Sequence, residues 1–326
     1  MYKPPFNITS KMLSLSISIT EKLGTISEYH SLRRMPILRK NNKIKSIHSS
    51  LAIEANSLSL NQVKDVIEGS LVLGPQKEIQ EVKNAYRVYN MMSEFDCYKE
   101  KDLLDAHKIL MNLIDEEAGC YRNHGEGVFD GDRVIFVAPS EKLVSSLMND
   151  LFHWLKNDIE TPLLIKSCVF HYEFVFIHPF GDGNGRIARL WQNIILCKWN
   201  KVFEYIPIES QIQKYQSTYY DKINESHQKG ESTEFIEFML KMIDETLDGV
   251  VRSVYKESEN ISDQVNKLLE MMEDEIPYSA NQLMSGLGIK SKETLRGTYL
   301  NPAIENGLVR MTLPDKPNSK NQKYIK

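Results

Sequence analysis

His178-Pro-Phe-Gly-Asp-Gly-Asn-Gly-Arg-Ile-Ala-Arg189, HPFGDGNGRIAR, decides how the rest of the chain is read. Twelve residues hold an imidazole, a carboxylate, an amide, three glycines and two guanidinium groups. Gly181, Gly183 and Gly185 alternate with polar side chains, so successive N–H groups can form a concave anion nest. The apolar period that follows (Ile187, Leu190, Trp191, Ile194, Ile195) opens a helix, and a helix N-terminus favours phosphate. Arg186 and Arg189 stand three apart on neighbouring faces of its first turn, where their forks suit phosphate oxygens. Asp182 can hold a hard cation such as Mg²⁺, which takes one or two carboxylates plus substrate phosphates. His178 has the unperturbed pKa suited to proton abstraction near neutrality. The blander reading, a glycine-rich helix start with a structural histidine, leaves this combination unexplained.

The stretch resembles the signature of Fic-domain proteins, HPFx(D/E)GNGRxxR, at every defined position. The resemblance implies a mostly α-helical catalytic core with a small β-hairpin flap, and transfer of AMP from ATP to a hydroxyl of a target protein. By position, His178 would be the base and Asp182 the Mg²⁺ ligand. Gly183, Asn184 and Gly185 would cradle the α- and β-phosphates, and the adjoining Ile187 and Ala188 belong to the same nucleotide-binding turn. Arg186 would take the outer phosphates, Arg189 would support the loop, and Phe180 would anchor it in the core.

Outward from the signature, the preceding run 163–177 is apolar on nearly every side and predicts a buried central helix. It delivers His178 to the site, and His171 on it reads as structural. Upstream, residues 9–30 and 35–55 read as two amphipathic helices. The second carries SSLAIEANS, residues 49–57, which resembles the inhibitory motif (S/T)xxxE(G/N) of Fic proteins through Ser50 and Glu54. Ala55 replaces the usual Gly or Asn. The expectation is that Glu54 pairs with Arg186 and keeps it from gripping ATP, so that Glu54→Gly raises activity; the bland alternative is a solvated surface glutamate. Helices are also predicted over 59–69, 77–95, 102–114, 142–156, 209–226 and 235–254, with His107 read as a packed core residue.

Residues 119–141 hold four glycines and a β-branched, aromatic run at 134–137, which predicts a strand. In Fic proteins a flap occupies this position and holds the target backbone by strand addition. Here it is expected over residues 131–140, with Val134, Ile135, Phe136 and Val137 docking the target, and Ala138-Pro139 where a Pro-Pro pair is common. Downstream, Tyr219-Tyr220 matches a tyrosine pair that Fic proteins carry near the adenine, and core packing serves equally well for either ring. His227 stands where an Asn commonly follows.

At 326 residues the chain has room for two or three domains. Its 41% hydrophobic and 26% charged content is that of a globular protein, and a net charge of −4 gives no global case for nucleic-acid or membrane binding. Cys97, Cys120, Cys168 and Cys197 form no CxxC and read as reduced thiols of a cytoplasmic protein. The N-terminus does not read as a signal peptide. The expected division is an N-terminal helical region with the inhibitory motif (1–100), a Fic core (101–250) and a winged-helix-like domain (255–326). The last rests on a helix at 279–287, a turn, a helix at 291–306 and two strands at 308–313 and 322–325. Past Ile276 there are eight basic and three acidic residues. That excess suits contact with DNA phosphates or with a protein.

These observations lead to an autoinhibited protein adenylyltransferase acting on a Ser, Thr or Tyr hydroxyl, with ATP and Mg²⁺. Self-modification and a homodimer remain open. Three alternatives stand beside it: a hydrolase removing AMP from a modified target, a transferase using another nucleotide donor, and a non-catalytic, ATP-sensing winged-helix regulator that binds DNA.

Overall fold

The computed structural model describes residues 2–28, 35–130, 133–260 and 262–326. His30 of the first expected helix and Gly131 of the expected flap lie outside the described residues. The described chain is mostly helical and divides into two compact units: Met1–Leu23 with Asn42–Asp248, and Gly24–Asn41 with Gly249–Lys326. Residues 1–100 thus contribute to both units, and 42–248 hold together as one body.

Up to residue 260 the order runs α1 (Ser10–Glu28), α2 (Pro36–Ile53), α3 (Leu60–Ile67), α4 (Gln76–Asn90), α5 (Glu100–Leu110), β1 (Gly127–Asp130), β2 (Arg133–Val137), α6 (Glu141–Asn157), α7 (Leu163–Ile177), α8 (Asn184–Trp199), α9 (Ile208–Lys214), α10 (Gln216–Lys229) and α11 (Thr233–Asn260). All lie in the first unit except the end of α1, the start of α2 and the end of α11, which belong to the second. Helix α7 starts directly after Pro162, whose ring removes a donor the helix would not use. Twelve of its fifteen residues are buried, as its unbroken hydrophobicity requires. It packs along α8, where Trp191 sits edge-on to Phe152 and Phe174 lies 6.1 Å from Phe180. Helix α3 begins at a capping box in which Ser59 and Gln62 satisfy each other's backbone donors.

Two expectations about elements need correction. The predicted helix 209–226 is two helices, α9 and α10, parted at Tyr215; no Gly or Pro marks that break. The flap has an earlier strand than the sequence suggested. β1 pairs antiparallel with β2, Gly127 opposite Val137 and Asp130 opposite Arg133, with a one-residue bulge beside Val128 and Phe129. The β-forming pair Val128-Phe129 was masked by its glycine-rich surroundings.

The second unit contains α12 (Asp263–Met271), β3 (Tyr278–Ser279), α13 (Ala280–Leu287), α14 (Lys292–Thr294), a π-helical stretch (Leu295–Leu300), α15 (Asn301–Glu305), β4 (Arg310–Met311) and β5 (Lys323–Ile325). The sheet order is β3-β5-β4, all antiparallel. Val265, Leu268, Leu269, Leu283, Leu295 and Leu300 close its core. The predicted helix 291–306 therefore winds through three geometries, and α12 was not anticipated. The sequence order helix, turn, helix, hairpin is present.

Candidate functional site

The buried α7 places its last turn at a fixed point, and the backbone turns there. His178 caps the helix in the left-handed region (φ 51°, ψ 59°). A non-glycine residue held there costs about 1–2 kcal/mol, strain of the kind concentrated at functional sites. Burial pushes the His178 imidazole below its ordinary pKa; a hydrogen bond toward the Val175 backbone and the Glu126 carboxylate oppose that.

The loop from His178 to Gly183 is braced on all sides. The Phe180 ring is fully buried and stacks on His107 at 3.6 Å. His107 accepts from the Gly119 N–H at Nδ1 (2.8 Å), so its Nε2 donates to the Asp182 carbonyl (3.0 Å). Burial holds that imidazole neutral, with its pKa lowered to about 4. Asn184 spends its amide on the loop: Oδ1 accepts from Phe180 N–H (3.0 Å) and Nδ2 donates to Phe180 O (2.7 Å). Gly183 sits at φ 83°, and a Cβ there would lie 2.8 Å from the Met111 sulfur. The glycine is thus required both by its dihedral and by space.

Arg122 is a residue the sequence reading missed. It is buried, and its guanidinium donates to four backbone carbonyls: His178 (2.7 Å), His124 (2.8 Å), Pro139 (2.6 Å) and Ile177 (3.3 Å). Its own N–H reaches the Pro179 carbonyl at 2.9 Å. One side chain so ties the His178 loop to the end of the hairpin. Its only sequence signal is a lone arginine inside a glycine-rich loop.

The start of α8 meets the end of α2 here. Arg189 is buried and donates from Nη2 to Glu54 Oε1 (2.7 Å) and to the Ser50 carbonyl (2.9 Å), and from Nε to Ser50 Oγ (3.1 Å). Burial alone would lower its pKa, but the Glu54 charge and hydrogen bond, together with Tyr219 and Tyr220, outweigh this and raise it. A Cβ on Gly185 would overlap the Glu54 carboxylate. The carboxylate thus lies against the first turn of α8, where a helix favours an anion.

The expected Glu54–Arg186 pair is therefore corrected to Glu54–Arg189. Gly185 and Arg189, four apart, share the face that meets α2. Arg186 instead shares a face with Asp182 and turns toward α4. Its Nη2 lies 2.7 Å from Asp182 Oδ1, and its Nη1 3.2 Å from Glu81 Oε1. Burial tends to raise the Asp182 carboxyl, but Arg186 and the Gly183 N–H (2.6 Å) hold it below the usual range. About half of the Asp182 side chain is exposed (49%), so an ionised oxygen faces solvent. Among the described residues no three His, Cys, Asp or Glu gather as a metal cage. A hard cation here would take Asp182 plus oxygens brought by an anionic ligand, the habit of Mg²⁺.

Ile187 and Ala188 are fully buried, and the Ile187 N–H is spent on the Gly183 carbonyl (2.9 Å). They hold the helix rather than present a ligand group, because both side chains point into the core. Tyr219 is also buried, with its hydroxyl on His171 Nε2 (2.8 Å) while His171 Nδ1 meets Gln192 (2.5 Å). No face of its ring is open to stack a base. Tyr220 is 41% exposed, and its hydroxyl reaches the Ile53 carbonyl (3.4 Å) at the end of α2. His227 sits beneath the flap, stacked on Phe136 at 4.1 Å and 3.1 Å from the Tyr172 hydroxyl. Burial and the nearby His178 lower its pKa to about 4. Val137 at the flap end is exposed.

Comparison with known proteins gives a consistent assignment. The Fic/DOC family model matches residues 97–196. The model for the C-terminal domain of Filamentation induced by cAMP protein Fic-like matches residues 263–325. A solved Fic family protein from Desulfovibrio desulfuricans G20 is 41% identical, over 99% of this chain and 98% of that one, with a TM-score of 0.75. A Fic domain-containing signaling protein from Bacteroides thetaiotaomicron VPI-5482, 18% identical, shares the fold over 73% of this chain and 98% of its own (TM-score 0.63). The protein adenylyltransferase fic-1 of Caenorhabditis elegans is 26% identical over 82% of this chain and 52% of its own length. The chain thus spans about half the length of such curated relatives. Among the described residues no helix is long and apolar enough to cross a membrane.

Proposed function

The chain belongs to the Fic family, and we propose that it is an autoinhibited protein adenylyltransferase. The substrates are Mg·ATP and a Ser, Thr or Tyr hydroxyl of a target protein. The observation that carries the reading is the carboxylate of Glu54 seated over Gly185 and against Arg189, where a phosphate would sit.

With the nucleotide in that place, the hydroxyl oxygen attacks the α-phosphorus and its proton passes to His178. The new O–P bond forms as the bond to the β-phosphate oxygen breaks, and pyrophosphate leaves. A neutral imidazole is needed, and burial supplies it by lowering the His178 pKa; such a base contributes about 10²–10⁴-fold. Arg189 and Arg186, both buried side chains, neutralise phosphate charge. Asp182 is the protein's ligand for the Mg²⁺ that arrives with ATP, and the cation offsets charge on the phosphate oxygens. The β1–β2 edge offers backbone hydrogen bonds to an extended target segment, whose docking sets the hydroxyl beside His178. The C-terminal unit reads as a winged-helix-type module, and its basic excess past Ile276 suits docking the target or nucleic acid.

The test is transfer of label from ATP marked on its α-phosphate, with Mg²⁺, by wild type, Glu54→Gly and Glu54→Gly/His178→Ala. Strong protein labelling by Glu54→Gly alone is expected. Label undiminished by His178→Ala removes the base assignment. No label in any sample, with Mg·ATP bound, replaces AMP transfer by the hydrolytic or other-donor reading.

A further inference from the structure

The turn that ends α2 reaches a second arginine of the site, by a route that does not involve Glu54. Ala55 adopts a left-handed conformation (φ 65°), and the Asn56 N–H closes the helix on the Leu51 carbonyl at 3.1 Å. The Asn56 side chain is thereby fixed beneath α4, where it is 8% exposed. Its Nδ2 donates to Glu81 Oε2 (2.8 Å) and to the Glu78 carbonyl (3.3 Å), and its Oδ1 accepts from the Leu58 N–H (3.1 Å). The Glu78 carboxylate holds the next residue through the Ser57 N–H (2.6 Å) and hydroxyl (2.7 Å). The other oxygen of Glu81 faces Arg186 Nη1 (3.2 Å), and Arg186 Nη2 faces Asp182 (2.7 Å).

We propose that Glu81, held by Asn56, is a second inhibitory carboxylate that keeps Arg186 turned onto Asp182. The inference rests on reading the loop as a Mg·ATP site. The guanidinium holds Glu81 at Nη1 and Asp182 at Nη2, its Nε is buried without a hydrogen-bond partner among the described residues, and its side chain is only 5% exposed. Outer phosphates cannot take Nη1 and Nη2, nor can a cation take the Oδ1 of Asp182, until the Arg186–Asp182 pair opens. Glu81 also adds a negative charge beside the place a triphosphate would fill, which opposes anion binding. Removing Glu54 alone frees Arg189 and leaves this arrangement intact. One turn thus restrains both arginines of the loop: Arg189 directly through Glu54, and Arg186 through Asn56 and Glu81.

The experiment is titration calorimetry of Mg·ATP into the full chain carrying Glu54→Gly/His178→Ala, which cannot turn over by our reading. It is repeated with Glu81→Gln, with Asn56→Ala, and with both added, and thermal melts establish that each variant is folded. Glu81→Gln is expected to tighten binding by at least about five-fold, the lower end of ordinary site–site coupling. The Mg²⁺ concentration giving half-maximal ATP binding falls as well, because Asp182 is released. Asn56→Ala, which leaves Glu81 and Arg186 in place, tightens binding in the same direction, and the double variant adds less than the product of the two. Unchanged or weaker binding with Glu81→Gln overturns the proposal and makes Glu81 a support of Arg186. Mg·ATP binding that fails in every variant removes the lock and the nucleotide-site reading together; equal binding in all removes the lock alone.

Discussion

Replacing Glu54 by glycine removes a carboxylate that touches Arg189 at 2.7 Å and covers Gly185. A hydrogen bond to a charged group contributes about 1.5–3 kcal/mol net. The Glu54 side chain is 31% exposed while Arg189 is 1% exposed, so the larger figures for fully buried pairs do not apply. An incoming phosphate must displace this contact before it can use Arg189. At about 1.4 kcal/mol per factor of ten, the displacement weakens apparent nucleotide affinity by about 10- to 150-fold. Glu54→Gly should recover that factor in the Kd for Mg·ATP and in labelling rate at low ATP. The same change should lower the melting temperature of the nucleotide-free protein, since Arg189 keeps only its Ser50 partners. Added Mg·ATP should restore the melting temperature, and more steeply than in wild type. Glu54→Gln separates charge from bulk: it keeps the volume over Gly185 and should release only part of the inhibition. Equal Kd values for wild type and Glu54→Gly, measured on folded protein, would refute the reasoning.

Arg122→Lys keeps a charge but cannot serve four carbonyls from one planar fork. We expect it to destabilise the fold by about 2–4 kcal/mol and to cut labelling in the Glu54→Gly background more than it changes Mg·ATP affinity, as read by chemical denaturation and calorimetry. Ala55→Gly removes a left-handed alanine (φ 65°) and should stabilise the protein by about 0.5–1 kcal/mol after the added chain entropy of glycine, a gain that a denaturant midpoint reports. The acid limb of labelling should lie below pH 6.5, because burial lowers the His178 pKa; a limb above that value contradicts a buried base. His107, His171 and His227 have folded pKa values near 4, 3 and 4, all below the unfolded value, so stability is present above pH 6.5 and is lost as pH falls toward 4. Glu173, raised by burial to about 7, and Glu209, also raised by burial, work oppositely above pH 4.5, but His48 and His178 are lowered by burial as well, and five imidazoles against two carboxyls leave the net slope positive in melts from pH 4.5 to 6.5.

The loop, its two flanking helices and the Ser50–Glu54 stretch at the end of α2 were legible because each is carried by local pattern. The run 163–177 is apolar all round and can only be central; the next helix begins where the glycines end. What was not legible depends on which faces meet. Sequence spacing puts Arg186 and Arg189 on one turn, but not which of them faces α2. Packing decides that, and it gives Glu54 to Arg189. Glu81, Asn56 and Arg122 had no motif, since each has at least one decisive contact to a residue 22 or more positions away in sequence. Tyr219 and Tyr220 are adjacent and alike, yet one has its hydroxyl on His171 inside the core and the other lines the end of α2. Only the turn of α10 distinguishes them.

The parts of the site differ in how much they can move. His178, Phe180, Asn184 and the start of α8 are fixed by a fully buried helix, a stacked histidine and an amide bonded to both polar groups of one peptide backbone. A catalytic group held this way needs no rearrangement at the moment of reaction. The end of α2 is held differently. The last turn of α2 is anchored by Ser50 on Arg189 and by Gln216 and Tyr220 on the Ile53 carbonyl. Residues 54–56 beyond it rest on one partly exposed carboxylate, on polar contacts to α4, and on a left-handed alanine that costs about 1–2 kcal/mol where glycine would cost little. That strain offsets much of the stabilisation from the Glu54–Arg189 contact. On the proposed reading, activation is therefore cheapest at the turn and not at the loop: displacing residues 54–56 releases the Glu54 contact to Arg189 and removes the hydrogen bond from Asn56 to Glu81, while His178 and the Gly183–Gly185 turn stay where α7 and α8 put them.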